Sequence, residues 1–277
     1  MLIILILLVN EININLTLFS WWRDAFDVYV IRMPQNNVYF LSDIHLQIEI
    51  DEKEIRKRNH LFSLLEKIQS EKAILVIVGD WFDFYFEYEH VITKNYFDVF
   101  VKMKNLRDAG VDIYYHSGNH DYWLGDFITN HLGIKVFHEP VTLKFAGKSF
   151  HLNHGDGLSK DDNKYRIMKR FLRHPVIIWL FKQFHPDWGH RLAKLVSYKS
   201  REYTQETIES LESRIKENRI YAESIFKSGI DYFITGHIHL PYIESFEDHT
   251  FLTIGDFIQH NTYGHFDGNE LVLKTWK

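Results

Sequence analysis

Short apolar runs that end in polar residues recur along the chain, at Val38–Leu41, Ala73–Val78, Val111–His116, Val141–Phe145, Ser149–Asn153, Tyr232–Thr235 and Phe251–Ile254. They are rich in β-branched and aromatic residues, which is the pattern of buried strands. Between them the spacing changes. Leu61, Leu64, Leu65 and Ile68 recur at i, i+3, i+4 and i+7, and Tyr96, Phe100 and Met103 repeat the helical spacing before Gly110, a helix stop. Alternating strands and helices predict an α/β layered domain.

The stretch from Leu158 to Ser228 breaks the alternation and reads as several helices. One carries Tyr165, Ile167, Met168, Phe171 and Leu172 and stops at Pro175; another runs through Ile208, Leu211, Ile215 and Ile225 to Gly229. A helical cap over residues 158–228, inserted in a catalytic domain spanning 33–277, is therefore expected. Beyond it the strand pattern resumes, with Asp267-Gly268 marking a hairpin turn. At the other end, Met1–Val9 is apolar but short of the ~20 residues that cross a bilayer. It also lacks the basic residues and cleavage site of a secretory signal. Met33 stands just ahead of the first clear strand, so residues 1–32 are expected to be a leader, either non-native or disordered, or else an anchoring segment.

Composition narrows the chemistry. The chain of 277 residues has no cysteine, so any metal must be held by His, Asp, Asn or Glu, and disulfides are excluded. Its net charge of −5 gives no global attraction for a phosphate backbone, and no nucleic-acid partner is expected.

Five polar clusters sit where predicted strands end: Asp43-Ile44-His45, Gly79-Asp80-Trp81-Phe82-Asp83, Gly118-Asn119-His120-Asp121, His154-Gly155-Asp156 and Gly236-His237-Ile238-His239. Open α/β sheets bind ligands beyond the carboxyl ends of their strands. Any one of these clusters alone is more often a turn or a surface pair. Five together, all supplying oxygen and nitrogen donors, point to a metal site. The other histidines, His116, His138, His151 and His185 among them, are assigned to packing or surface, and Asp83 to a supporting role.

These motifs are similar to those of the calcineurin-like metallophosphoesterase superfamily, over roughly residues 38–260. The resemblance implies a layered β-sheet sandwich flanked by helices, with Asp43, His45, Asp80 and His239 on one metal and Asp80, Asn119, His154 and His237 on the other. It implies that His120 donates to the phosphate or leaving-group oxygen with Asp121 orienting it. Two divalent ions are expected, Mn²⁺ first, with Fe²⁺ or Zn²⁺ as alternatives.

The substrate clue lies in the helical segment. Residues 158–201 hold eleven Lys or Arg against three acids, interleaved with Val176, Ile177, Trp179, Leu180, Phe181, Phe184 and Trp188. Such a mixture suits an amphiphile with an anionic head, or a membrane surface. The run from His154 to Tyr165 resembles that of the UDP-2,3-diacylglucosamine pyrophosphatases of lipid A synthesis. By that resemblance Asp162, Tyr165 and Lys199, with Asn119, His120 and His237, contact a lipid-linked nucleotide. The resemblance implies UMP and a diacylated sugar phosphate as products, and a cytoplasmic enzyme peripheral on the inner membrane is expected, with no obligate protein partner. The chain departs from the best-known members at one position, carrying His120 where they have Arg. The competing readings are a phosphodiesterase or phosphatase for a soluble nucleotide or phosphoprotein, and a scaffold that has lost its metals.

Overall fold

The computed structural model describes residues 28–30, 37–159, 162–191 and 208–277. Its strands are β1 (Val28–Val30), β2 (Val38–Leu41), β3 (Ile74–Val78), β4 (Ile113–His116), β5 (Lys135–Phe137), β6 (Val141–Phe145), β7 (Lys148–Leu152), β8 (Tyr232–Thr235), β9 (Tyr242–Phe246), β10 (His249–Thr253), β11 (Thr262–Phe266) and β12 (Leu271–Thr275). Its α-helices are α1 (Glu52–Glu71), α2 (Phe97–Asp108), α3 (Asn163–Leu172), α4 (Pro175–Lys182) and α5 (Ile208–Phe226). The strands form two six-stranded sheets, ordered β12-β11-β2-β3-β4-β5 and β1-β6-β7-β8-β10-β9.

The two-residue period of the strands sorts their side chains into layers. From β2 and β3, Val38, Phe40, Ile74, Val76 and Val78 point between the sheets, where they meet Leu143, Phe150, Leu152, Ile234 and Leu252. The alternate residues Tyr39, Leu41, Leu75 and Ile77 face outward and pack on Leu61, Leu64, Leu65 and Ile68 of α1 and on Val99, Met103 and Leu106 of α2. On the far side, α5 lays Ile215, Ala222 and Phe226 over Phe233 and Phe251. The result is a helix–sheet–sheet–helix sandwich.

Register then sets the position of the polar clusters. β2, β3 and β4 are parallel, pairing Leu41 with Ile77 and Val78 with His116, so their carboxyl ends fall in line. In the other sheet β7, β8 and β10 are also parallel, pairing Leu152 with Ile234 and Thr235 with Thr253. All six strands therefore deliver their following loops to one end of the sandwich.

Between β7 and β8 the described residues form helices joined by loops and turns, with no strand. Pro175, read from sequence as a stop, also opens α4 at its first turn, with His174 as N-cap. Val28–Val30, inside the stretch set aside as a leader, pairs in parallel with β6 at Thr142–Lys144; the rest of residues 1–32 lies outside the described residues.

Candidate metal centre

Asp43, His45, Asp80, His237 and His239 follow the ends of β2, β3 and β8, and all five have left-handed backbones, with φ between 47° and 68°. Non-glycine residues avoid that region at a cost, and such strain gathers where tertiary structure fixes side chains for a task. Here the loops are tied to one another. Asp43 N–H donates to Gly79 O, His45 N–H to Asp80 O, and His237 N–H to Asp43 Oδ2, which joins the two sheets.

The donor atoms of Asp43, His45 and His239, of His45, Asp80 and His120, and of Asp80, His154 and His237 each lie within 4.8 Å of one another. Asp80 is common to two groups. Its Oδ2 is 3.2 Å from His154 Nε2 and 3.6 Å from His45 Nε2. His154 Nδ1 donates to Val78 O at 2.8 Å, which leaves Nε2 aimed inward, 3.2 Å from Asn119 Oδ1. His239 Nε2 is 3.4 Å from Asp43 Oδ1 and 3.2 Å from His45 Nε2. The sequence-predicted metal ligands thus converge on one spot. Asp43 Oδ1 is buried and lacks a hydrogen-bond partner, the state of an oxygen that fits a cation.

The electrostatics agree. Burial opposes charge on Asp43, yet the imidazoles of His239, His45 and His154 hold its carboxyl down at about 2. Asp80 is likewise drawn well below the carboxylate range, against burial, by His154, His120 and His45. Burial would depress His45 and His154, but the carboxylates around them raise the two to about 9 and about 10. Burial and the neighbouring charge of His154 push His237 down to about 3. The centre is a cluster of ionised carboxylates that recruits whatever positive charge it can reach.

The surrounding residues show what sequence reasoning missed. Ser42 Oγ lies 2.6 Å from Asp43 Oδ2 and 2.8 Å from Val78 O, and its one hydroxyl proton, shared between them, pins the carboxylate. Asp256 takes N–H bonds from Ile258, Gln259 and His260 on Oδ1, while Oδ2 faces His260 Nδ1 at 3.0 Å and His239 Nδ1 at 3.8 Å. Its signal in the sequence is the Gly255-Asp256 pair after a strand, the same pattern as Gly79-Asp80. Asp83 supports His45, with Oδ1 3.5 Å from Nδ1.

One expected role is corrected. His120 Nδ1 donates to the main-chain carbonyl of Asp83 at 2.7 Å, so Asp121 does not orient that ring. Asp121 is instead fully buried, accepting from Trp81 N, Gly118 N and Tyr115 Oη, and it buckles the loops after β3 and β4 together.

Two motif glycines are required by space. A Cβ on Gly118 would stand 2.0 Å from Asp80 Oδ1, and one on Gly236 would stand 1.9 Å from Ser42 Oγ and 2.4 Å from Asp43 Oδ2. Gly236→Ala is expected to destabilise the fold by about 1–3 kcal/mol and to lower metal content, since the intruding methyl must displace the Ser42–Asp43 pair. Thermal melts with metal analysis check this, and an unshifted melt at full metal content would contradict it.

The helical stretch meets the centre through Asp156, the residue after Gly155. Asp156 Oδ2 receives Tyr165 Oη (2.9 Å), Lys169 Nζ (2.7 Å) and Arg173 (3.5 Å). Tyr165, expected to touch substrate, is engaged there with its ring 6.5 Å from that of His237. Asp162 pairs with Arg214 of α5 at 3.7 Å. Lys199 lies outside the described residues.

The family model "Calcineurin-like phosphoesterase" matches residues 37–241. The chain is 31% identical to a UDP-2,3-diacylglucosamine hydrolase of Porphyromonas gingivalis over 87% of its own length and 98% of the relative's. It is 26% identical to a protein of the same name from Pseudomonas fluorescens, over 76% and 81% of the two chains.

Proposed function

Because the chain belongs to the calcineurin-like phosphoesterase family and is a metal-dependent phosphoesterase, we propose that its substrate is UDP-2,3-diacylglucosamine, hydrolysed at the pyrophosphate to UMP and 2,3-diacylglucosamine 1-phosphate. The names of its relatives support this reading. The observation that carries it is the polarity of α3. That helix turns Tyr165 and Lys169 inward onto Asp156, joined by Arg173 at its C-cap, and leaves Ile167, Met168, Phe171 and Leu172 exposed, Ile167 at 70%. α4 adds Val176, Trp179 and Leu180, the turn after it Phe184, and the helical residues 186–191 Trp188. Single exposed apolar residues are ordinary, but a contiguous face beside a catalytic centre marks an interaction surface. Beneath α4 lies a cavity of about 550 Å³ with Phe86, Trp123, Leu124 and Ile178 on its apolar side and Glu87, Glu89, Asp126 and Lys182 on its polar side. We take the helical stretch to be a cap that receives acyl chains and rests on the inner-membrane surface from the cytoplasmic side.

In this reading Asp43, His45, Asp80 and His239 hold one divalent ion and Asp80, Asn119, His154 and His237 the other. The donor set of carboxylate, amide and imidazole, without sulfur, suits Mn²⁺, Fe²⁺ or Zn²⁺. Such a pair of ions clamps a phosphoryl group and lowers the pKa of a bound water. The chain's own contribution is placement. His120, its Nδ1–H fixed on the Asp83 carbonyl, presents Nε2 to the centre 4.0 Å from Asp80 Oδ2, where the neutral ring accepts a proton and the imidazolium donates to a phosphate oxygen. Lys169 and Arg173 bring positive charge to the cap side of the same space.

The test is turnover of UDP-2,3-diacylglucosamine in mixed micelles by the Mn²⁺-loaded protein, with UMP release followed by chromatography. Release of UMP, at a kcat/KM well above that for a small aryl phosphodiester, is expected. Turnover of the aryl ester alone would sink the substrate while leaving the phosphoesterase chemistry intact.

A further inference from the structure

A second cavity, of about 690 Å³, opens at the same end of the sandwich, and none of the described residues of the helical stretch lines it. Its walls come from the loop after β2, the first turns of α1 and the loop after β10, and they meet the main chain of Asp43 and His45 in the centre. Lys57, in its wall, donates to His45 O at 2.7 Å, and Phe257 N–H donates to Asp43 O. Asp156 and the cap stand at the other half, beside His154 and His237.

That polarity constrains a substrate cut at its pyrophosphate over the centre. Its lipid half lies under the cap, so its other half must leave toward this cavity. Resting on the substrate reading above, we propose that the cavity seats the pyrimidine nucleoside of the departing nucleoside monophosphate.

The lining has the chemistry for it. Gln47 and Asn261 are partly exposed there, and their side-chain amides make no hydrogen bond among the described residues, whereas the carboxylates of Asp51 and Glu54 are committed, Asp51 to Glu54 N–H and Glu54 to Gln47 N–H, Arg58 and Lys57. A side-chain amide offers a donor beside an acceptor, which complements the carbonyl and N–H edge of uracil. Asn261 holds this position with a left-handed backbone, φ 52°, and its carbonyl is tied to Trp276 N–H. Lys53 and Arg56, both exposed, add positive charge to the lining, Arg56 also pairing with Glu52 at 3.6 Å.

Calorimetric titration of the Mn²⁺-loaded protein with UMP and with inorganic phosphate tests the assignment. UMP is expected to bind tighter than phosphate. The double variant Gln47→Leu with Asn261→Gly, the glycine chosen because it accepts the backbone angle, is expected to bind UMP about tenfold more weakly while its phosphate affinity holds. Arg56→Ala, at an exposed position where folding is not at stake, is expected to weaken UMP about threefold. Equal affinity for UMP and phosphate, or wild-type UMP affinity in both variants, overturns the proposal. That failure is separate from failure of the substrate reading, which is read in lipid turnover: UMP released from the lipid by a protein whose cavity ignores the nucleoside would overturn this assignment alone.

Discussion

Replacing Asp80 by alanine is expected to empty both halves of the centre and to lower turnover by at least ~10³-fold, about 4 kcal/mol of transition-state stabilisation. Among the described residues Asp80 is the one carboxylate shared by the His45 and His154 groups, so its loss separates them. Its loss also removes the acceptor for His120 N–H, 2.9 Å from Asp80 Oδ1, which loosens the loop carrying Asn119. Asp80→Asn separates the two effects, because an amide oxygen can keep the His120 bond while the charge is gone. Metal analysis of both variants should find less than one ion per chain. Two ions retained by Asp80→Ala would refute the bridging role, whatever the turnover.

The layers were legible because burial on both faces writes itself into strands as unbroken apolar runs. Val38–Leu41, Ile74–Val78 and Tyr232–Thr235 needed no tertiary information. β5 and β9 lacked that signal, whereas β1, Val28-Tyr29-Val30, carries it inside the stretch set aside as a leader. β5 and β9 are edge strands whose exposed or half-exposed residues, such as Lys135 and Glu244, blur the alternation. At the centre the donors were legible, since each follows a strand in a short motif. The residues that aim them were not. Ser42 and Asp256 act through bonds to partners up to tens of residues away, and the Asp83 carbonyl that holds His120 is main chain, which no residue type announces. Sequence proximity misled for Asp121, whose carboxylate turns away from His120 into the loops behind it.

Replacing Trp179 and Phe184 together by glutamine is expected to raise KM for UDP-2,3-diacylglucosamine at least tenfold with kcat held, while the melting temperature stays within a degree or two. Sequence alone left open whether these residues pack the cap onto the core, and their exposure, 58% for Trp179 and 52% for Phe184, decides against it. Little stability is at stake in side chains that bury little in the free protein. Affinity is different: seating a large apolar side chain against an acyl chain contributes about 1.5–3 kcal/mol, and each methylene buried contributes ~0.8 kcal/mol. A loss confined to KM is the mark of binding energy used equally in ground and transition states. Phe181 supplies the contrast. It packs on Phe86 at 4.5 Å and on Phe84 at 6.3 Å, between ring centroids, so Phe181→Gln should lower thermal stability as well as lipid affinity. A small aryl phosphodiester has no chain to lay on the cap, and its hydrolysis is the internal reference for both sets of variants. If the Trp179 and Phe184 pair instead lost stability and aryl ester turnover in parallel with lipid turnover, the exposed face would be a packing surface and the cap would have no claim on the acyl chains.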